Sequence, residues 1–335
     1  MKVLIAGLAG ASLGTEILKS LSAVGSYEIH GCDISPLAFG LYSENLSAAY
    51  VADKDNYIAS VIDICKKNKI QYIIPGGEQP MVLLGAESSA LNASGIQLVS
   101  NTPSIINLFS DKRKTFVFLQ ENRFPIPKTS STVNEEVLDT FTYPCIVKPS
   151  SGTGGSDSVF LATSKEECWL YVELLKRNGR SIIIQEYIGL DEGEFTVGVL
   201  SDTQSNIIGS VAMQRTFNSK LSVAYRGKKG LISSGYSQGL IADFPEIRRQ
   251  AELIAQAVKS RGPLNVQGRV RNGVLIPFEI NPRFSASTYL RTMAGFNEVD
   301  FFLRHLIKGE KDFHFSVKKG YYLRSFAEQF IEYQS

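Results

Sequence analysis

The chain has 335 residues, 44% of them hydrophobic and 20% charged, the make-up of an ordinary globular protein with room for two or three cores. With 35 Lys+Arg against 33 Asp+Glu the net charge is +2, which supports neither a nucleic-acid partner nor a membrane surface. Three histidines and four scattered cysteines argue against zinc, a His-based triad and a disulfide framework; without a membrane-length apolar run or cleavage site, the sequence reads as cytoplasmic.

In chain order, KVLIA at 2–6 is a buried strand, followed by a glycine-rich turn (Gly7, Gly10, Gly14), a helix, and a second strand ending near Asp33. That is how a dinucleotide fold opens. The spacing is GxxGxxxG where that fold has GxGxxG, so the glycines alternatively serve close helix–strand packing. A helix over 55–68, a strand at 71–75, a helix over 81–93 and a strand at 96–100 extend a small parallel sheet to about residue 105. Glu78 follows the third strand at the carboxyl edge, where such sheets hold ligands; it either touches a substrate or is a solvated loop acid.

From 101 the pattern changes. Two helices precede RFPIPKT, whose prolines mark a domain connection. The strand YPCIVKP then delivers Lys148 into SSGTGGS, either a phosphate cradle of exposed backbone N–H groups or a hairpin tip. A helix over 164–179 leads to the strand RSIIIQEYI, with Glu186 near its end, and Glu194 opens the next strand. Either acid could accept from adenine or ribose donors, or sit on the surface. After a strand at 207–215, a stretch with Arg215, Lys220, Arg226, Lys228 and Lys229 is a basic lid or a solvated loop. A helix over 245–261 follows. Residues 312–335 give no clear signal.

The hairpin at 262–284, GPLNVQGRVRNGVLIPFEINPRF, is the most informative stretch. Glu279, Asn281 and Arg283 alternate, so they share one strand face. A turn at 271–273 brings Gln267 onto that face if the loop has three residues or the strand carries an equivalent bulge. One face would then hold three oxygen donors and a guanidinium, a set suited to hard cations and the phosphates they bridge.

Taken together, DK at 111–112, IVKPSSGTGG at 146–155, QEYI at 185–188, GEFTV at 193–197, NVQ at 265–267 and EINPR at 279–283 resemble the ATP-grasp superfamily, and within it one synthetase unit of the carbamoyl-phosphate synthase large subunit. The resemblance implies an α/β and α+β protein. A Rossmann-like pre-ATP-grasp domain (1–105) would be followed by a small subdomain with a central lid and linker (106–200), a C-terminal subdomain with the metal site (201–310) and a tail (311–335), the two α+β subdomains clasping ATP. It implies that Lys112 and Lys148 contact ATP phosphates under a loop of Gly152, Thr153, Gly154 and Gly155. Glu186, Tyr187 and Ile188 would hold adenine, and Glu194 ribose. Gln267, Glu279 and Asn281 would bind two Mg2+ (or Mn2+), with Arg283 on the transferring phosphoryl group.

The implied activity is a carboxylate–amine ligase acting on amino acids or another small metabolite, as a homodimer like many relatives. Glu78, Arg226, Ser285 and Arg291 are the candidate substrate residues. The alternatives are a carbamoyl-phosphate-type or bicarbonate-activating subunit needing a partner, an ATP sensor, and an NAD oxidoreductase. The synthase signature continues NPRxSRSS, whereas Ala286 follows Ser285 here, and one unit is present where the synthase has two. Carbamoyl phosphate synthesis by this chain alone is therefore not expected.

Overall fold

The computed structural model describes residues 1–10, 13–151 and 158–331. Its first sheet is parallel: Lys2–Ala6 (β1), Glu28–Asp33 (β2), Ala48–Val51 (β3), Tyr72–Pro75 (β4) and Gln97–Leu98 (β5), in the order β3-β2-β1-β4-β5. Alternation along β1 explains why it is central. Val3 and Ile5 pack against Ile17 and Leu21 of Leu13–Ser22 (α1). Leu4 and Ala6 face Val61 and Ile64 of Tyr57–Asn68 (α2) and residues from Glu78–Ala86 (α3) and Ser88–Ala93 (α4). Each face thus acquires its own helix layer. Two details differ from the sequence reading. β3 went unnoticed because AAYV is only four residues long and, half-exposed at the sheet edge, carries no polar alternation to mark a strand. The helix expected from 81 begins at Glu78 and breaks at Glu87.

Pro103–Ser110 (α5) and Lys112–Glu121 (α6) follow, the second capped by Asp111, whose carboxylate accepts from Arg113 N at 2.8 Å. A four-stranded antiparallel sheet comes next: Thr129–Ser130 (β6), Cys145–Pro149 (β7), Phe160–Ala162 (β8) and Ile182–Glu186 (β9), in the order β6-β9-β7-β8. Glu135–Asp139 (α7) and Lys165–Arg177 (α8) cover it around a separate core that includes Leu138, Val147, Val172 and Ile184.

The largest sheet is antiparallel and six-stranded. Its members are Glu194–Ser201 (β10), Ile207–Arg215 (β11), Gly239–Ile241 (β14), Pro263–Arg271 (β15), Val274–Asn281 (β16) and Gly320–Tyr322 (β17), with the hairpin Val223–Gly227 (β12) and Gly230–Ser233 (β13) between β11 and β14 in sequence. The order is β16-β15-β10-β11-β14-β17. Phe195, Val197, Leu264, Val266 and Ile280 turn one face toward α5, α6 and Pro245–Ala257 (α9). Because side chains alternate and Thr196 pairs Gln267, which pairs Glu279, the opposite face carries Glu194, Thr196, Asn265, Gln267, Arg269, Glu279 and Asn281. Further along it, Leu200, Val211 and Met213 share a core with α1 and with Thr288–Met293 (α10) and Glu298–Lys308 (α11). The parallel sheet and the six-stranded sheet are therefore joined by one apolar body.

The β15–β16 turn has two residues, Asn272 and Gly273, with φ of 53° and 71°, the twist that suits a hairpin. By itself that turn would set Gln267 opposite Phe278 and off the polar face. A bulge corrects this. Gln267 pairs with Glu279 while Gly268 pairs with Pro277, leaving Phe278 as the extra residue. The basic stretch forms the β12–β13 hairpin, and Arg215 is buried rather than solvated. The unreadable tail supplies β17. No helix among the described residues is long and apolar enough to cross a membrane.

Candidate active site

Two cavities meet at Phe278 and Glu279. The first encloses about 750 Å³ open at its mouth, between the four-stranded sheet and β16. Ile146, Val159, Ile188, Ile232 and Phe278 give it apolar walls, and Lys112, Lys148 and Glu186 its charge. The second, about 1170 Å³, is polar, and runs from Gly76, Gly77 and Glu78 of the first sheet to Gln267, Glu279, Arg283 and Ser285.

Lys148 is placed by β7 and is buried, its Nζ donating to Gln185 Oε1 at 2.8 Å and to Phe278 O at 3.3 Å. Burial, assisted by the Lys112 charge and opposed by Glu279, pushes its ammonium down to about 7. Lys112 starts α6, its backbone N donating to Ser150 O at 3.0 Å, so the helix N-terminus and the end of β7 are held together. Gly152, Thr153, Gly154 and Gly155 lie outside the described residues.

At the hinge after β9, the geometry differs from expectation. Glu186 lines the first cavity, but Oε1 already accepts from Arg271 Nη1 at 2.5 Å and Oε2 from Lys128 N at 3.0 Å. Each oxygen keeps one lone pair. The Ile188 carbonyl accepts from Arg269 Nη1 at 2.6 Å, and the Arg269 guanidinium lies over the Tyr187 ring at 4.7 Å. Glu194, expected at ribose, is almost fully buried, and its two oxygens accept from Arg215 at 3.1 Å and Arg269 at 2.9 Å. It does not line the cavity. The two arginines also reach Ser234 O, Tyr236 O and Leu231 O, so Glu194 anchors the wall between the cavities.

At the junction, Gln267 and Glu279 face each other; Asn281 stands opposite Asn265 and lines a third, smaller cavity with Lys112, Phe278 and Glu279. One carboxylate and two amide oxygens are hard donors of the kind Mg2+ takes, and a single charge leaves phosphate oxygens to complete the shell. Among the described residues no group of three or more His, Cys, Asp and Glu is placed to hold a metal ion. Arg283 donates to Phe284 O at 3.0 Å and to Asn281 Oδ1 at 3.4 Å. Burial pushes its guanidinium down from its ordinary value, offset by the charges of Glu78 and Glu279.

Of the four candidate substrate residues, Glu78 and Ser285 line the polar cavity. Arg291 is sealed behind it, held by Glu298 at 2.6 Å and donating to Ser287 and Ser285 at 2.7 and 2.8 Å. Arg226 is on the exposed hairpin, donating to Phe217 O at 2.6 Å, away from both cavities. The sequence reading missed Asn265, Thr196, Gln185 and the Ser233–Ser237 wall. Alternation in NVQ puts Asn265 on the face of Gln267, so that residue was within reach of the pattern; the rest depend on sheet pairing.

The dinucleotide-like features serve close packing, while Gly7, Asp33 and Gly76 also line an open cavity at the carboxyl edge of the parallel sheet. Asp33 Oδ2 accepts from Leu8 N at 2.7 Å and Oδ1 from Ser35 N at 3.0 Å. A Cβ on Gly14 or Gly76 would come within 1.9 Å of Gly7 O.

Residues 109–287 match a family model described as an ATP-grasp domain. Over 297 residues, 81% of this chain and 26% of the relative, the sequence is 26% identical to the carbamoyl phosphate synthase large chain of Thermomicrobium roseum. The chain spans about a fifth to a quarter of the length of such curated relatives, 19% and 26% in two of them. Its fold matches the MgADP- and bicarbonate-bound biotin carboxylase domain dimer of Hydrogenobacter thermophilus 2-oxoglutarate carboxylase, with a TM-score of 0.67 and 18% identity over 94% of this chain and 71% of that one. It also matches the L-amino acid ligase of Bacillus licheniformis, with a TM-score of 0.64 and 16% identity over 91% and 73%. With motifs, sheet order and a family model spanning more than half of its length in agreement, the chain belongs to the ATP-grasp family.

Proposed function

We propose that this protein is an ATP-dependent ligase that activates a carboxylate as an acylphosphate for attack by an amine or similar nucleophile. The carrying observation is the junction itself: an apolar-walled cavity and a polar cavity share Phe278 and Glu279, with Lys148 and Arg283 beside them. ATP would lie in the first cavity with its γ-phosphoryl group at Glu279. Lys112 and Lys148 would hold the phosphates, and the 186–188 hinge with Phe278 would enclose the base. Glu279, Gln267 and Asn281 would hold two Mg2+ ions, which when bound neutralise phosphate charge.

The residues' share in the chemistry is placement and charge. A substrate carboxylate oxygen in the polar cavity attacks the γ phosphorus, the bond to the β,γ-bridging oxygen breaks, and ADP leaves with the electron pair. Arg283 stabilises the charge that spreads over the transferring group, and the wall fixed by Glu194, Arg215 and Arg269 keeps the nucleotide and acceptor aligned. The division into 1–105, 106–200, 201–310 and 311–335 belongs to this proposal, as do a cytoplasmic setting and a homodimer. The dimer of the biotin carboxylase relative supports the last of these.

A carbamoyl-phosphate-type role with a partner is the second reading, favoured by the synthase relatives. Ala286, which lines the polar cavity where that signature has Arg, weighs against it. Phosphate release from Mg-ATP over a panel of carboxylates paired with amines tests both. Glu279→Ala is expected to lower the rate by ~10² or more with the thermal midpoint little changed. Near-normal turnover by that variant would remove the metal assignment.

A further inference from the structure

The open cavity at the carboxyl edge of the parallel sheet encloses about 1280 Å³. The strand order β3-β2-β1-β4-β5 reverses between β1 and β4, and the crevice over such a reversal is where open parallel sheets hold ligands. Gly76, Gly77 and Glu78 line both this cavity and the polar one, so the two are continuous. Glu78 also lines the small cavity shared with Lys112 and Glu279, which sets it between the sheet edge and the transfer junction. Packing requires glycine at 14 and 76, but not at 77. The φ of Gly77 is −168°, extended backbone open to any residue, and a Cβ there would meet nothing nearer than Pro80 Cδ at 3.4 Å, an ordinary contact. A larger side chain at 77 would instead intrude where the two cavities meet.

We infer that the carboxyl-edge cavity holds the nucleophile, a primary amine on an apolar body, which reaches the acylphosphate past Gly77 and Glu78. The inference rests on the ligase reading. Ile34, Pro80 and Leu83 give the cavity an apolar flank, with Ile34 and Leu83 40% and 39% exposed, and its volume far exceeds what ammonia needs. Of the two carboxylates in its lining, Asp33 already accepts from two backbone N–H groups. Glu78 makes no hydrogen bond among the described residues, and its charge is set against Arg283. Once Arg283 serves the transferring phosphoryl group, an ammonium takes its place beside Glu78. The amine sheds one proton to water and its nitrogen attacks the acyl carbon. The carbon–oxygen bond to phosphate breaks, phosphate leaves with the electron pair, and the nitrogen loses a second proton. A carbamoyl-phosphate-type role makes a different demand, since its product carries an unsubstituted nitrogen.

The full-length protein with Mg-ATP and a panel of carboxylates would be given hydroxylamine, ammonia or benzylamine. Hydroxylamine is small and yields a hydroxamate wherever an acylphosphate forms, so it reports the ligase reading by itself. Ammonia and benzylamine are of nearly equal basicity, so their comparison reports the cavity. The expected kcat/KM for benzylamine is at least about 100-fold above that for ammonia. Gly77→Val should raise the benzylamine KM about tenfold or more, and the hydroxylamine and ATP KM far less. Leu83→Trp, which fills the edge cavity from a residue outside the polar one, should act in the same direction. Hydroxamate formation with ammonia used as well as benzylamine, or a rise in the benzylamine and hydroxylamine KM by the same factor in both variants, would overturn the inference and leave the ligase reading in place. Absence of hydroxamate and of phosphate release with every carboxylate would overturn both.

Discussion

Glu194 has a guanidinium on each oxygen and almost no exposure, so its removal leaves two buried cations without a counter-charge. Glu194→Gln is expected to lower stability by about 3–5 kcal/mol, the range for breaking a buried pair from one side, as read by urea denaturation. A higher KM for ATP at unchanged stability would instead restore the ribose role implied by the motif. Lys148 gives a pH signature. Its pKa lies near 7 in the folded chain, against 10.5 ordinarily, so between those values the unfolded chain holds a proton that the folded chain does not. Its unfavourable contribution is fully present below pH 7 and is relieved as pH rises through that window. Phosphates bound beside it, as proposed above, would restore the ammonium. Binding of a non-hydrolysable Mg-ATP analogue at pH 8.5 should therefore take up close to one proton, falling to none by about pH 6. Calorimetry in two buffers of different ionisation heat measures this, and Lys148→Met should abolish it.

At the scale of elements, the β15–β16 hairpin and the strap formed by residues 323–331 after β17 each show a single local device setting a site. The motif EINPR and its alternation were legible because period 2 needs no tertiary information. The two-residue turn was not, and Gln267 reaches the right face only through the bulge at Phe278. The strap was opaque because its partners are distant in sequence. Arg324 donates to Glu16 at 3.0 Å and to the carbonyl of Ala286, its backbone N donates to Gln238 Oε1 at 3.1 Å, and Phe326 packs edge-on against Tyr236. Arg324 thereby ties α1 to the Ala286 wall of the polar cavity, and Phe326 braces the Tyr236 wall. Arg324→Ala is expected to raise the KM for the carboxylate about tenfold while moving the ATP KM less than about twofold, with partial rescue by Lys. An equal rise in both constants would mean that the strap acts on the whole fold.

For the whole molecule, the sequence by itself determined the parallel opening sheet apart from β3, the order of the ATP-grasp motifs and the alternation that sets Glu279, Asn281 and Arg283 on one strand face. Each of these is written in local periodicity or in short motifs whose spacing the backbone geometry fixes. Tertiary structure decided how those pieces are used. It closed Glu194 and Arg291 into buried ion pairs, left Arg226 outside, tied Asp33 to the Leu8 backbone, and placed Glu78 and Arg283 in one cavity. The physical reason is that a charged side chain in sequence can be a ligand, a counter-ion or a solvated surface group. Which it becomes depends on what distant segments bring within hydrogen-bond reach, and here an apolar body shared by the first and last sheets sets that arrangement.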